Sequence, residues 1–289
     1  MNGSPRGAGG VDWLQTWREM YDAERVQAER IPLPDAARAA DCWAGQAQRF
    51  AAAARRARQP DAFMRFLLPR LRPSDVVLDI GAGSGRYVPL LARAAARVVA
   101  LEPSAAMRAQ LEARLGDEAL EHVAVIGEPW PMAAPPACDV AIAAHVVYSV
   151  REIGPFLQAM DAAAARACYI YAALQHPAAF IGPFWERFHG EPRRPLPGAL
   201  ECLNALHQLG IPANMALLPL DSRVSFLDAQ EALDDIRWRL RLAPDAARDA
   251  AILAAARELL DRDADGRLVP RGQPRHAAVL WWCRDTAAE

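Results

Sequence analysis

A glycine-rich turn preceded by an acid is the strongest chemical feature of the sequence. Residues 76–80 are apolar except for Asp79, and Gly81, Gly83 and Gly85 follow them directly. A short apolar run bounded in this way predicts a buried strand. Glycine adopts positive φ readily and lets a ligand approach the backbone closely. The pattern therefore predicts a ligand-binding turn at the carboxyl end of a strand, where open α/β sheets bind their ligands.

A second acid stands where a nucleotide-like ligand would present its ribose. Glu102 follows the next apolar run, residues 97–101, and lies about 20 residues beyond Gly81, a spacing at which an acid accepts hydrogen bonds from ribose hydroxyls. The alternative is a turn that only closes a βα unit, with Glu102 solvated. Arg86 occupies the place at which the dinucleotide fingerprint has its third glycine, which disfavours a nicotinamide-dependent oxidoreductase.

The surrounding sequence alternates between strand and helix patterns. Apolar runs predict strands at 76–80, 97–101, 123–126, 139–144, 168–174, 215–220 and 277–283, with 223–226 as a further candidate. Helical patterns cover 86–95, 104–115, 151–165, 227–242 and 245–260. Such alternation predicts an α/β fold with a mostly parallel sheet covered by helices on both faces.

The flanking segments predict the domain organisation. Residues 1–10 are glycine-rich and polar and are expected to be disordered. Residues 11–70 carry aromatic residues at helical spacings and predict a helical N-terminal cap or lid, so that the catalytic domain would span 71–289. Prolines accumulate in 176–212, which predicts an insertion on the substrate side of the sheet, after the fifth strand.

Four segments together resemble the class I S-adenosylmethionine-dependent methyltransferases of the small-molecule type. Asp79–Gly85 is similar to their first motif, and 101–104 with Met107 to their second. Residues 126–131 are similar to the third motif, and 138–143 to the fourth strand. The resemblance implies a Rossmann-like, mostly parallel seven-stranded sheet flanked by helices. It also implies S-adenosylmethionine as cofactor, S-adenosylhomocysteine as product and in-line transfer of the methyl group to a small molecule.

The resemblance also implies roles for individual residues in binding the cofactor. The glycines would line its methionine part, Asp79 its amino group and Glu102 its ribose. Glu128, which departs from the commoner aspartate, would reach the adenine. The cofactor-binding set implied by these motifs is Asp79, Gly81, Ala82, Gly83, Gly85, Glu102, Pro103, Met107, Glu128 and Trp130. Trp43 and Phe50 would cover the cofactor from the N-terminal lid, although both also suit an ordinary core.

Three residues after strands four and five are candidates for catalysis. His145 directly follows the fourth strand and would act as a general base, contact the cofactor or cap the strand end. Tyr148 would orient the substrate or pack, and His176 follows the fifth strand at the same edge.

The predicted insertion carries candidates for the acceptor pocket. Trp185 and His189 are four residues apart and would share a helix face, lining the pocket or attaching the insertion to the sheet. Arg193 and Arg194 are predicted to be a solvated pair, with an acidic acceptor as the alternative.

Composition narrows the classes of partner. The net charge is −2 over 289 residues, which argues against nucleic acid as a partner. No apolar stretch is long enough to span a bilayer, the N-terminus lacks a secretory signal, and the five scattered cysteines form no metal motif. We therefore expect a cytoplasmic enzyme without a metal site or membrane contact. A methyltransferase for RNA or protein, or a non-catalytic cofactor-binding homologue, remains an alternative, and the oligomeric state is open.

Overall fold

The computed structural model describes residues 10–32, 47–48, 51, 60–220 and 224–284. Its α-helices are α1 (Trp13–Glu29), α2 (Ala62–Leu67), α3 (Val88–Ala94), α4 (Ala105–Glu118), α5 (Ile153–Ala163), α6 (Gly182–His189), α7 (Ala199–Gln208), α8 (Ala229–Arg239) and α9 (Ala246–Leu259). Its strands are β1 (Val76–Ile80), β2 (Arg97–Leu101), β3 (Val123–Ile126), β4 (Cys138–Ala144), β5 (Ala164–Ala173), β6 (Asn214–Pro219), β7 (Leu260–Arg262), β8 (Leu268–Pro270) and β9 (His276–Cys283). Short 3₁₀ helices cover Leu68–Arg70, Val147–Ser149 and Pro177–Ile181. None of these helices combines the length and apolar character needed to cross a membrane.

Seven strands form one mostly parallel sheet in the order β3-β2-β1-β4-β5-β9-β6. Strands β1 to β5 pair in parallel, whereas β9 runs antiparallel to both of its neighbours, β5 and β6. The predicted α/β, Rossmann-like sheet is confirmed. The order reverses between β1 and β4, and such a switch point is where open α/β sheets bind ligands, at the carboxyl ends of the strands.

Helices cover both faces of the sheet because its strands are apolar on both sides. One face packs against α1, α5 and α7 and includes the fully buried Trp17 and Phe156. The other packs against α2, α3 and α4 and includes Phe63 and Leu111. Trp17 also donates from Nε1 to the carbonyl oxygen of Val150 at 2.8 Å, so that the indole satisfies its polar atom while its ring is buried.

A third apolar cluster forms a cap beside the carboxyl end of β5. It joins α6, from the predicted insertion, to α8 and α9, which come much later in the chain. Its largest buried side chains are Phe184, Trp185 and Phe226. The cap thus combines residues on both sides of β6, whereas the sequence placed the insertion within 176–212 only.

Several element boundaries differ from the sequence-based expectation. Strand β5 begins at Ala164, where the sequence predicted the end of a helix, because Ala164 pairs with Cys138 at the start of β4. The predicted strand at 223–226 is reduced to a single bridge between Phe226 and Leu268, with 223 outside the described residues. The β7–β8 hairpin was not predicted, since its two strands are only three residues long and carry no clear alternation.

Candidate functional site

The glycine turn is anchored to the neighbouring strand by its backbone. The amide nitrogens of Gly81 and Ala82 both donate to the carbonyl oxygen of Leu101, at 2.7 and 3.0 Å. Gly81 has a φ of +73°, and a Cβ on it would lie 2.6 Å from Cγ2 of Val146. Gly83 has a φ of +58°, and a Cβ on it would meet no atom within 4 Å. The turn therefore needs glycine at both positions, and at Gly83 its backbone faces open space.

Glu102 is fixed against this turn. Its side chain is 6% exposed, and its two carboxylate oxygens accept from the amides of Gly83 and Ser104, each at 2.8 Å. Ser104 in turn caps α4 by accepting from the amide of Met107 at 3.2 Å. The predicted approach of the second acid to the glycine turn is thus observed. A carboxylate has about four acceptor positions, so ribose hydroxyls can bind in addition to these amides or in exchange for them.

Asp79, near the end of β1, is buried in an environment that is less polar than that of Glu102. It is 2% exposed, and its carboxyl group has no hydrogen-bond partner among the described residues. Burial and, to a smaller extent, the negative charge of Glu102 together raise the pKa of Asp79 to about 7. A cationic group would therefore be attracted to this carboxylate.

Arg108 is a residue of this region that sequence reasoning missed. Its Nη1 donates to the carbonyl oxygens of Glu102 and Pro103 at 3.0 and 2.9 Å, and its Cζ lies 2.8 Å from the position of a Cβ on Gly127. The guanidinium therefore bridges the ends of β2 and β3. Its place in the first turn of α4 carries no motif, so no pattern in the sequence pointed to it.

The remaining predicted adenine contacts are dispersed. Glu128 is exposed beside the end of β3, and Met107 is buried in the first turn of α4. Trp130 donates from Nε1 to the carbonyl oxygen of Phe156 at 3.2 Å and packs edge-on against that ring. Trp43 and Phe50 lie outside the described residues. The roles of these five side chains stay predictions.

The three catalytic candidates lie together at the ends of β4 and β5. Nδ1 of His145 is 3.3 Å from Oη of Tyr148, which also accepts from the amide of Ala173. The rings of Tyr148 and His176 meet edge to face, with centroids 5.0 Å apart. His145 has a φ of +60° and its amide donates to the carbonyl oxygen of Tyr171 at 2.8 Å, so the backbone fixes where the imidazole points. The sequence predicted the shared edge but not these contacts.

Both imidazoles of this cluster are held neutral. Burial lowers the pKa of His145 to about 4, and the positive charge of Arg86 contributes to the shift. Burial also lowers the pKa of His176 to about 4, with further contributions from Arg239 and Arg193. Nδ1 of His176 accepts from the amide of Ala178 at 3.1 Å, which requires that this nitrogen carries no proton. At neutral pH, both side chains are uncharged hydrogen-bonding groups and weak bases.

Asp61 connects this cluster to the glycine turn and was also missed. Its Oδ2 accepts from Nη2 of Arg86 at 3.0 Å and from Oη of Tyr87 at 2.9 Å, while Oδ1 caps α2. Phe63 of α2 stacks on Tyr171, with ring centroids 4.7 Å apart. The last part of the segment predicted as the lid, 61–67, is thereby packed against the edge that carries His145.

The predicted pocket residues Trp185 and His189 lie in the cap. Trp185 is fully buried, and its ring centroid is 4.3 Å from that of His189, whose Nε2 is 3.0 Å from the carbonyl oxygen of Leu240. The prediction of a solvated Arg193–Arg194 pair is wrong for Arg193. Its guanidinium stacks on Trp185 at 3.8 Å and pairs with Glu24, because α1 packs against this segment.

The segment that contains the site matches a known family. A family model described as a methyltransferase domain matches residues 78–169, which run from β1 into β5 and include the glycine turn, Glu102 and His145. The chain contains a methyltransferase domain. The cofactor of this domain is S-adenosylmethionine.

Individual proteins resemble parts of the chain. Protein-L-isoaspartate O-methyltransferase of Methanoregula boonei is 50% identical over 54 residues, which are 19% of this chain and 25% of that protein. The match thus spans about a quarter of the length of this curated relative. A second match is the structure of magnesium protoporphyrin IX methyltransferase from Synechocystis with bound S-adenosylhomocysteine. The superposition covers 74% of this chain and 94% of that protein, with 15% identity and a TM-score of 0.45. The structure of the YcgJ protein from Bacillus subtilis covers 75% and 94%, with 12% identity and a TM-score of 0.48.

The residues of the methyltransferase domain fit S-adenosylmethionine. The open side of Gly83 leaves room for a ligand against the backbone. Glu102 provides carboxylate oxygens beside it, and Asp79 provides a buried carboxyl group without a partner among the described residues. These three residues would hold the methionine part and the ribose of the cofactor.

Cofactor binding by the methyltransferase domain is expected to weaken as the pH falls. Because the pKa of Asp79 is about 7, its carboxyl group is mostly protonated at pH 6 and mostly charged at pH 8. The ammonium group of the cofactor favours the charged form, so binding below pH 7 must expel a proton. We expect the affinity for S-adenosylhomocysteine to fall about tenfold between pH 8 and pH 6 in calorimetric titrations.

Asp79→Asn is the matched control for this pH dependence. The variant keeps the shape of the side chain but does not titrate, so its affinity should be lower and should stay constant over the same range. An equally steep decrease in the variant would show that another group is responsible.

Proposed function

We propose that the protein transfers the methyl group of S-adenosylmethionine to a small-molecule acceptor. The observation that carries the proposal is the contact between Glu102 and the open glycine turn at Gly83, on the same sheet edge as His145. The turn and Glu102 would bind the cofactor, and the histidine–tyrosine cluster would receive the acceptor one strand away, since β4 is the direct neighbour of β1.

The residues of the chain would contribute alignment and exclusion of water. Bound S-adenosylmethionine supplies an activated methyl group on a sulfonium, which an acceptor atom displaces in line, so proximity and orientation make up most of the catalysis. The positive φ of His145 and its backbone bond to Tyr171 give the imidazole a defined direction. Tyr148 is held in turn by the amide of Ala173.

His145 would orient the acceptor through a hydrogen bond. With a pKa of about 4, it is a weaker base than a general base working near neutral pH needs to be. A neutral imidazole can still accept from a hydroxyl or amine of the acceptor, or donate to it, because Tyr148 is able to act as partner for either tautomer. An acceptor that loses its proton readily would need no stronger base.

The cap supports an acceptor of low mass. Helices α6, α8 and α9 pack around a common apolar cluster beside the end of β5. The cap therefore covers one side of the histidine–tyrosine cluster. His176 lies three residues beyond the end of β5, and the 3₁₀ helix Pro177–Ile181 connects it to α6. An extended RNA would also require a basic surface, whereas the chain has a net charge of −2.

A labelling experiment tests the proposed function. The protein is incubated with methyl-labelled S-adenosylmethionine and a cell extract, and the products are fractionated by size. Label in the low-mass fraction supports the proposal and allows mass spectrometry to name the acceptor. Label only in RNA or protein would overturn the small-molecule acceptor, and no label with folded, S-adenosylhomocysteine-binding protein would favour a non-catalytic homologue.

His145→Asn is expected to lower turnover far more than cofactor affinity. Asparagine tolerates the φ of +60° at this position, so the change removes the imidazole without adding backbone strain. We expect kcat for the low-mass acceptor to fall about 100-fold, the loss that a misplaced reactant can cause, and the affinity for S-adenosylhomocysteine to change less than about twofold. The exposed His276 provides the matched control, His276→Asn, which should leave both quantities unchanged. Equal losses of turnover and affinity in His145→Asn would identify His145 as a cofactor contact instead.

A further inference from the structure

Two buried hydrogen-bond donors in the cap lie side by side without an acceptor. Nε1 of Trp185 and Nη1 of Arg193 are both inaccessible to solvent and have no hydrogen-bond partner among the residues that the structure describes. The Cζ atom of Arg193 lies 3.8 Å from the centroid of the Trp185 ring, so the two groups belong to one location. Buried polar groups in native proteins are nearly always satisfied, and an exception requires an explanation.

The surroundings determine the charge of the missing acceptor. Nη2 of Arg193 already pairs with Glu24, and Arg239 pairs with Asp235. Arg241, whose charge acts on Arg193, donates instead to the carbonyl oxygen of Ile31 at 3.2 Å. Glu191 also acts on Arg193 with its negative charge, so that Arg193 and Arg241 face Glu24 and Glu191 and leave no excess of cations for a dianionic phosphate. A monoanion with planar oxygens, such as a carboxylate, matches both a guanidinium nitrogen and an indole nitrogen.

The Arg193–Trp185 pair is also connected to the sheet edge that carries His145. The charge of Arg193 acts on His176, and the ring of His176 contacts that of Tyr148, which bonds His145. His176, three residues beyond the end of β5, therefore connects the surroundings of Arg193 to those of His145.

We propose that Arg193 and Trp185 bind a carboxylate of the methyl acceptor, so that the substrate class is small carboxylic acids. The identification of the ligand as the methyl acceptor rests on the proposed function, whereas the existence of the carboxylate site does not. The carboxylate accepts from Nη1 of Arg193 and Nε1 of Trp185, and the acceptor atom lies toward His145. Arg193 is then a determinant of specificity and takes no part in the chemistry.

An NMR titration tests the carboxylate site without any turnover. The indole N–H resonance of Trp185 is assigned by comparison with Trp185→Phe, and acetate is added to the full-length protein as the probe, with acetamide as its neutral counterpart. We expect acetate to shift this resonance in a saturable way and acetamide to leave it unchanged. Acetate should have no such effect in Arg193→Met, whereas the exposed neighbour variant Arg194→Met should respond like the wild type. A Trp185 resonance that ignores acetate in the wild type would overturn the site and identify a buried water as the partner of both donors.

A second measurement connects the site to the acceptor. Small molecules of the extract are separated by anion exchange before the labelling assay, and we expect acceptor activity in the retained fraction. Trp185→Phe, which keeps the stacked ring but removes one donor, should raise KM for that fraction about tenfold with kcat nearly unchanged, since it removes binding only. Acceptor activity confined to the unretained fraction would overturn the substrate class while leaving the proposed function intact. Failure of labelling in both fractions, with the acetate shift present, would count against the proposed function instead.

Discussion

Replacing Glu102 with alanine is expected to weaken the binding of S-adenosylhomocysteine about 10- to 100-fold. The variant removes the carboxylate predicted to hold the ribose, and hydrogen bonds to a charged group contribute about 1.5–3 kcal/mol. It also leaves the amides of Gly83 and Ser104 without the acceptor they have in the structure, so the glycine turn loses its link to α4. Isothermal titration calorimetry measures the affinity directly.

Two comparisons separate binding from folding in this experiment. Glu112→Ala changes an exposed glutamate on the same helix, α4, and should leave the affinity as in the wild type. Circular dichroism and the urea midpoint report whether Glu102→Ala keeps its fold. A folded Glu102→Ala protein with wild-type affinity would mean that Glu102 only ties the turn to α4 and does not bind the cofactor.

Replacing Arg166 with methionine is expected to destabilise the protein by about 3–5 kcal/mol. Arg166 on β5 pairs with Asp75, whose side chain is 3% exposed and also accepts from the amide of Arg72 at 2.7 Å. Removing the arginine leaves a buried carboxylate without its cation, and breaking a buried pair in this way is strongly unfavourable. The free energy of unfolding in urea should fall accordingly, with an unchanged m-value.

Variants of other residues distinguish the buried charge from a general loss of packing. Arg166→Met combined with Asp75→Asn should recover part of the loss, since asparagine is neutral and its side-chain oxygen can still accept from Arg72. Arg25→Met removes one partner of the exposed Arg25–Glu29 pair and should have no measurable effect. A loss below about 1 kcal/mol in Arg166→Met would show that water reaches Asp75.

The geometry of the proposed cofactor site could be predicted from the sequence because its determinants are local. Strand β1 and its glycine turn lie within ten consecutive residues, and apolar strands and glycine turns follow from residue types alone. Glu102 ends the next strand, and the carboxyl ends of adjacent parallel strands share one edge, so its approach to Gly83 was predictable from topology. The same reasoning brought His145 and His176 to the edge where the structure has them.

The protonation of the site could not be predicted in this way. The motif provides Asp79 and His145, but a pKa of about 7 for the first and about 4 for the second depends on burial and on nearby charges. Arg86, which acts on His145, also pairs with Asp61 on a different element. These environments exist only after the helices have packed.

The proposed acceptor side depends on tertiary structure. Arg193 was predicted to be solvated because two adjacent arginines usually are, yet it pairs with Glu24, which is 169 positions away. The cap likewise joins α6 to α8 and α9 across β6, and Arg166 meets Asp75 across 91 positions. Backbone propensity and hydrophobic period report only on residues a few positions apart, whereas desolvation and charge pairing depend on whichever distant segments the fold brings into contact.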